Sequence, residues 1–214
     1  MPNTVVASIP KAGTFFMMTV LENLNYNVQP YQLLQRGIVL DWEKNKKLKF
    51  RSLNNVTLCT HIAPTVYLHD HKIIFMYRDL KECCISLGKW CQETKQWGLI
   101  PKHLSGYELT EFILAKHIDR YAHMVKRAMT WFEQQDACLI NYNNPDYDAL
   151  ALHLNVSITD VLKAAELAGR MDTRTRSKVR SYVNDDTWSP KCEKLFNEYL
   201  GGCHDKMVKT YCTI

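Results

Sequence analysis

The opening twenty-four residues constrain the fold more than any other stretch of the chain. Val5-Val6-Ala7-Ser8-Ile9 is a short, mostly apolar run closed by Pro10. Such a run reads as a strand buried on both faces. Lys11-Ala12-Gly13-Thr14 is a turn, and the residues after it, Phe15 to Leu24, are apolar on nearly every side. That pattern suits a helix packed deep against a sheet. Strand, tight turn and buried helix in this order open an α/β nucleotide-binding domain.

The rest of the chain continues in that grammar. Val56 to His61 reads as a second strand, and Lys72 to Tyr77 as a third with the near-continuous apolar run of a parallel strand. A helix from Asp79 to about Gln92 carries Leu80, Cys83, Cys84, Leu87 and Cys91 at helical spacing. Ser86 falls about 120° from the middle of that stripe, so its position is not one for core filler. Gly106 to Gln135 reads as a long amphipathic helix broken at most once, and Ala137 to Ile140 as a fourth strand. Helices are expected at 145–154, 157–168 and 190–200, with a basic loop over 170–186. The expected fold class is α/β: a short parallel sheet of four or five strands with helices on both faces and ligands at the strand C-termini.

Composition narrows the class further. With 214 residues the chain supplies one domain, 1–214, able to bury a core without disulfides or metals. Its 46% hydrophobic content, with only 8 Gly and 7 Pro, excludes collagen, coiled coil and disorder. The longest apolar stretches, such as Ile73 to Tyr77, fall far short of the ~20 residues a membrane span needs. Met1 to Val6 has no basic and apolar signal regions. The expectation is therefore a cytoplasmic protein without a membrane partner. The 8 cysteines include no C-x-x-C pair and no zinc spacing, so they read as reduced thiols acting as small apolar residues, and no metal is expected.

The net charge of +5 is concentrated in two clusters, Lys44, Lys46, Lys47, Lys49 and Arg51, and Arg170, Arg174, Arg176, Lys178 and Arg180. Such clusters suit a solvated face, nucleic acid or a phosphorylated small molecule. The turn at Lys11 to Thr14 points to the last. A glycine turn at a helix N-terminus presents backbone N–H groups and the positive end of the helix dipole to a phosphate. Lys11 adds a cation and Thr14 a hydroxyl. The Walker pattern is absent, because the lysine precedes the single glycine.

Pro10-Lys11-Ala12-Gly13-Thr14 resembles the P-K-S-G-T loop of sulfotransferases that use 3′-phosphoadenosine 5′-phosphosulfate (PAPS). Phe75-Met76-Tyr77-Arg78-Asp79-Leu80-Lys81-Glu82 through Ser86 is similar to that family's strand-R-[ND]-P-x-[DE]…S segment. Thr60-His61-Ile62-Ala63-Pro64 resembles its K-T-H-L-P strand end. Arg120 to Trp131 followed by Leu139-Ile140-Asn141-Tyr142 follows its helix and strand-Tyr order. The chain departs from the family at Ala12 (serine), Cys59 (lysine), Leu80 (proline) and Asn143-Asn144 (an acidic pair).

The resemblance implies a PAPS-dependent sulfotransferase that moves a sulfuryl group to a hydroxyl, or less readily an amine, of a small-molecule acceptor and releases 3′-phosphoadenosine 5′-phosphate (PAP). No metal and no nucleic-acid partner are implied. His61 takes the role of general base, which suits a side chain whose pKa of ~6.5 leaves it neutral near pH 7. Lys11 neutralises charge on the leaving phosphate. Ala12, Gly13, Thr14, Phe15 and Phe16 line the donor, with Phe16 able to stack on adenine. Arg78 and Ser86 hold the 3′-phosphate, and Tyr142, Arg176 and Lys178 complete the cofactor contacts. Residues 26–50 and 93–106, with Trp42, Trp90 and Trp97, are expected around the acceptor. A kinase-like enzyme and a non-catalytic nucleotide or nucleic-acid module on the same fold are the alternatives.

Overall fold

A computed structural model describes residues 3–35, 38–41, 46–49, 56–61, 63, 71–134, 136–170 and 183–211. The elements run β1 (Thr4–Ser8), α1 (Thr14–Asn23), β2 (Val28–Gln35), β3 (Ile38–Asp41), β4 (Lys46–Lys49), β5 (Thr57–Thr60), β6 (Lys72–Tyr77), α2 (Leu80–Thr94), α3 (Gly106–Ala128), β7 (Ala137–Asn141), α4 (Tyr147–Leu154), α5 (Ile158–Arg170) and α6 (Pro190–Tyr211). A 3-10 turn over Met129–Glu133 follows α3, which is the expected break in the long amphipathic segment. No helix among the described residues is long and apolar enough to cross a membrane.

The chain forms two compact units, Met1–Tyr77 with Arg127–Arg174, and Arg78–Lys126 with Thr175–Ile214. The first carries the sheet, in the order β4-β3-β2-β5-β1-β6-β7. Five strands, β2, β5, β1, β6 and β7, are parallel, and all of them but β2 are the apolar runs of the sequence. The sheet goes beyond the expected four or five strands because β3 and β4 add an antiparallel extension to β2.

Local sequence hides that extension for two reasons. β2 contains Pro30, which has no N–H for a ladder; between the pairs Val28–Thr57 and Leu33–Cys59 the register shifts, and Pro30 falls in the shift. β4 is Lys46-Lys47-Leu48-Lys49 at the sheet edge, and lysines on an edge discourage pairing with another chain. The first basic cluster is thus partly an edge strand.

Register places Val6, Cys59, Ile74, Met76, Cys138 and Ile140 on one face of the sheet. There they form the core with Met17, Met18, Val20 and Leu21 of α1, Leu150, Ala151 and Leu154 of α4, and Val161, Ala164, Ala165 and Ala168 of α5. The opposite parity brings Phe75 and Tyr77 against Phe132 of the 3-10 turn, with centroids 5.1 Å apart in each pair.

The second unit packs α2, α3 and α6. Gly88 of α2 faces Leu109 and Ile113 of α3, where a Cβ would lie 3.3 Å from the Leu109 side chain. Helix α6 runs eleven residues past the expected end at 200, through Gly201 and Gly202. Its buried positions, Phe196, Leu200 and Met207, continue at helical spacing beyond the glycine pair, so packing overrides the local stop signal.

Candidate active site

Strand β1 is buried at every residue and delivers the chain into the turn. The Ile9 N–H donates to the Met76 carbonyl at 3.1 Å, and the Ala12 N–H donates to the Ile9 carbonyl at 3.0 Å, closing the turn. Lys11 (φ 75°) and Gly13 (φ 92°) are both left-handed. Gly13 is required twice over: its φ disfavours any Cβ, and a Cβ there would lie 2.2 Å from Cδ2 of Tyr142. Lys11 has no such exemption, and holding a non-glycine residue left-handed costs about 1–2 kcal/mol. Strain of this kind collects at ligand sites. Thr14 then begins α1, so the turn leads into a helix N-terminus whose first N–H groups have no side-chain cap.

Ala12 faces inward. Its side chain is fully buried and its N–H is engaged by Ile9, so the missing serine hydroxyl would point into the interior. Phe15 stays 36% exposed. Phe16, expected to reach adenine, packs on the core and meets the Tyr142 ring edge-on with centroids 5.7 Å apart. Tyr142 follows the end of β7, and its N–H donates to the Tyr77 carbonyl at 2.8 Å. Its ring wedges against Gly13, so Tyr142 shapes the turn.

Pairing of Ala7 with Thr60 sets the next two residues, Ser8 and His61, beside each other past the strand ends. His61 Nδ1 lies 3.0 Å from the Ser8 carbonyl oxygen and 3.0 Å from Ser8 Oγ. A carbonyl only accepts, so Nδ1 carries the proton and donates it to Ser8. In the neutral ring the lone pair is then on Nε2. Ser8 Oγ lies 2.6 Å from Thr14 Oγ1, which continues the contacts into the first residue of α1. Burial pushes the His61 pKa down, the Ser8 carbonyl partly opposes this, and the Lys11 charge pushes it down further. The arrangement is an imidazole with a defined tautomer, linked through Ser8 to the turn before α1. Ser8 is the residue that sequence reasoning missed; it stands within the quoted motif, but nothing local says that it orients His61.

Arg78 follows the last residue of β6 and belongs to the second unit. Its side chain is 10% exposed, and its Nε donates to Glu82 Oε2 at 2.7 Å. Asp79 caps α2, accepting from the N–H groups of Lys81 and Glu82, which fixes the residues on either side. Ser86 is also buried, at 8% exposure, although it lies off the apolar stripe. Trp90 is partly buried, and Trp97 meets His117 at 5.5 Å between centroids and the Arg120 guanidinium at 4.6 Å. Arg176, Lys178 and Trp42 lie outside the described residues.

Cys59, which stands where the resemblance has a lysine, belongs to the core face beneath α1. Burial pushes its thiol, and that of Cys83, up to about 12, and carries Cys84 well above the ordinary value. These three cysteines are expected to react with iodoacetamide at pH 8 about a thousandfold more slowly in the native than in the denatured protein. Peptide mapping after timed alkylation measures this, and rapid native labelling of Cys59 would contradict its place in the core.

No family model matches the chain, and no curated protein matches its sequence. Solved structures share its fold. Mouse sulfotransferase SULT7A1, in a structure complexed with PAP, is similar over 96% of this chain and 88% of its own, with TM-score 0.66 and 16% identity. Retinol dehydratase, in complex with androsterone and the inactive cofactor PAP, is similar over 97% of this chain and 80% of its own, with TM-score 0.53 and 13% identity. The α/β fold of this chain is the sulfotransferase fold.

Proposed function

We propose that this chain is a PAPS-dependent sulfotransferase acting on a hydroxyl of a small-molecule acceptor. The observation that carries the reading is His61, held by Ser8 in the tautomer that leaves Nε2 basic and linked through Ser8 to Thr14 at the head of α1. A phosphate turn by itself suits many nucleotide enzymes. A neutral histidine wired to that turn is what transfer to a hydroxyl needs, because the acceptor must lose a proton as it attacks.

The residues present fit a 5′-phosphosulfate. The strained turn, the uncapped α1 N-terminus and the absence of a Cβ at Gly13 provide a cradle that backbone amides of Gly13 and Thr14 can fill. His61 Nε2 takes the acceptor hydroxyl proton as the new O–S bond forms. The bond from sulfur to the bridging oxygen breaks, and PAP leaves with that oxygen. Lys11 offsets the charge that builds on it, while Arg78 and Ser86 hold the 3′-phosphate. Positioning and electrostatics supply the rate enhancement, as in phosphoryl transfer.

Thermal melting with PAP, ADP, or ATP plus magnesium tests the donor. At ~100 times its dissociation constant a ligand stabilises by ~2.7 kcal/mol, which raises the midpoint by about 5–10 °C in a protein of this size. The expected result is a shift with PAP that ADP does not reproduce and that Arg78→Ala removes. A shift only with ATP and magnesium would support the kinase-like alternative instead.

A further inference from the structure

We propose that the Ser8 hydroxyl couples His61 to the turn before α1, so that an anion held at the helix N-terminus makes the base stronger. The site is that of the proposed function, and the identity of the anion as the donor's 5′-phosphate rests on that reading. The coupling itself rests on three side chains that the pairing of β1 with β5 and the turn into α1 bring together.

His61 Nδ1 lies 3.0 Å from both the carbonyl oxygen and the Oγ of Ser8, and Ser8 Oγ lies 2.6 Å from Thr14 Oγ1. Ser8 is fully buried and Thr14 is 6% exposed, so both hydroxyls are shielded from bulk water. Their direction follows from a proton count. The carbonyl fixes the proton on Nδ1, so Nδ1 cannot accept from Ser8. The Ser8 proton therefore goes to Thr14 Oγ1; the reverse direction would leave a buried hydroxyl proton facing the Nδ1 proton. The Thr14 proton then points away from Ser8. Every donor runs the same way, from His61 through Ser8 to Thr14 at the head of α1, whose N-terminus has no side-chain cap.

Hydrogen bonds in such a row polarise one another. An anion that accepts from Thr14 makes Thr14 Oγ1 a better acceptor for the Ser8 proton, and Ser8 Oγ in turn a better acceptor for the Nδ1 proton. That favours the imidazolium, the stronger donor. The coupling is reciprocal, so a protonated His61 also tightens the hold on the anion. Among the described residues Lys11 is the charged group set against His61, and it opposes the imidazolium. Cys59, two residues earlier on β5, is a neutral thiol on the core face. An anion at the turn offsets Lys11 through space as well, and variants of the two hydroxyls separate that effect from the one carried by the hydrogen bonds. The consequence is a base whose strength rises as the donor arrives.

NMR titration of the His61 ring, with and without saturating PAP, tests the coupling in wild type, Ser8→Ala, Ser8→Thr and Thr14→Val. In wild type PAP is expected to raise the titration midpoint by about one pH unit or more, a roughly tenfold stronger base. The rise is expected to fall to about half or less in Ser8→Ala and in Thr14→Val, and to keep its wild-type size in Ser8→Thr, which retains the hydroxyl. The proton is expected to stay on Nδ1 in all four proteins, because the Ser8 carbonyl remains. Thr14→Val breaks the row from its far end and decides the matter if Ser8→Ala does not fold. A rise of wild-type size in either variant leaves only the through-space effect and overturns the coupling. PAP that binds wild type without moving the His61 midpoint also overturns it and leaves the donor assignment standing. Wild type that does not bind PAP overturns both. Loss of the Nδ1 proton in Ser8→Ala would make the hydroxyl its anchor and overturn the proton count.

Discussion

Replacing His61 with alanine or asparagine is expected to lower kcat by about 10²- to 10⁴-fold, while PAP still raises the melting temperature as it does in wild type. Asparagine is the sharper variant. Its amide can still donate toward the Ser8 carbonyl that holds Nδ1 in the native protein, yet it offers no basic nitrogen. Full turnover in His61→Asn would remove the base assignment and leave donor binding untouched. The pH profile gives a second reading. Burial and the charge of Lys11 both disfavour the imidazolium, so the ring loses its proton below the ordinary ~6.5. The rate should hold down to about neutral and fall only as the pH drops through that lowered value. Lys11→Met should move this limb upward. Stability carries the same sign: the contribution of neutral His61 is complete above ~6.5 and is lost as the pH falls through the depressed value. His153, whose pKa burial and Lys72 also lower, adds to acid sensitivity in the same direction.

Gly13→Ala is expected to cost about 2–5 kcal/mol of stability and to abolish PAP binding. Two separate strains add: about 1–2 kcal/mol for a Cβ at φ 92°, and about 1–3 kcal/mol for the collision with Tyr142, 2.2 Å away. For a chain of this length that is a drop in melting temperature of about 5–20 °C. The double variant Gly13→Ala with Tyr142→Ala separates them. Removing the ring takes away the collision but not the backbone strain, so the two changes should combine to less than the sum of their separate costs. Strict additivity would mean that the ring does not wedge the turn. A wild-type melting temperature for Gly13→Ala would mean that the turn is not built on a left-handed Gly13.

Most of the parallel sheet and the helices around it were legible because their signals are local. β1, β5, β6 and β7 are apolar runs, and the buried turn of α1 follows β1 directly. The stripes of α2 and α3 repeat at helical spacing. The edge strands β2, β3 and β4 were not legible, because Pro30 and the lysines around Leu48 contradict strand preference and only pairing with a neighbour makes them strands. The end of α6 was misread for a related reason: Gly201 and Gly202 look like a stop until the buried Met207 supplies a core contact beyond them.

The candidate site divides along the same line. Lys11, Gly13 and Thr14 could be picked out as a glycine turn before a helix, which acts over a few residues of chain, whereas His61, Arg78 and Ser86 became candidates through the resemblance of their segments to sulfotransferase motifs. The tautomer of His61 could not, because the oxygen that sets it belongs to Ser8, 53 residues away, and comes alongside only when β1 pairs with β5. The wedge of Tyr142 on Gly13, the interior position of Ala12 and the burial of Ser86 depend in the same way on which elements pack together. Sequence alone determined the order of strands, turn and helices and the candidate groups beside them; tertiary structure decided the tautomer of His61 and the burial and partners of these groups, because solvent exclusion and hydrogen-bond geometry exist only once distant segments are in contact.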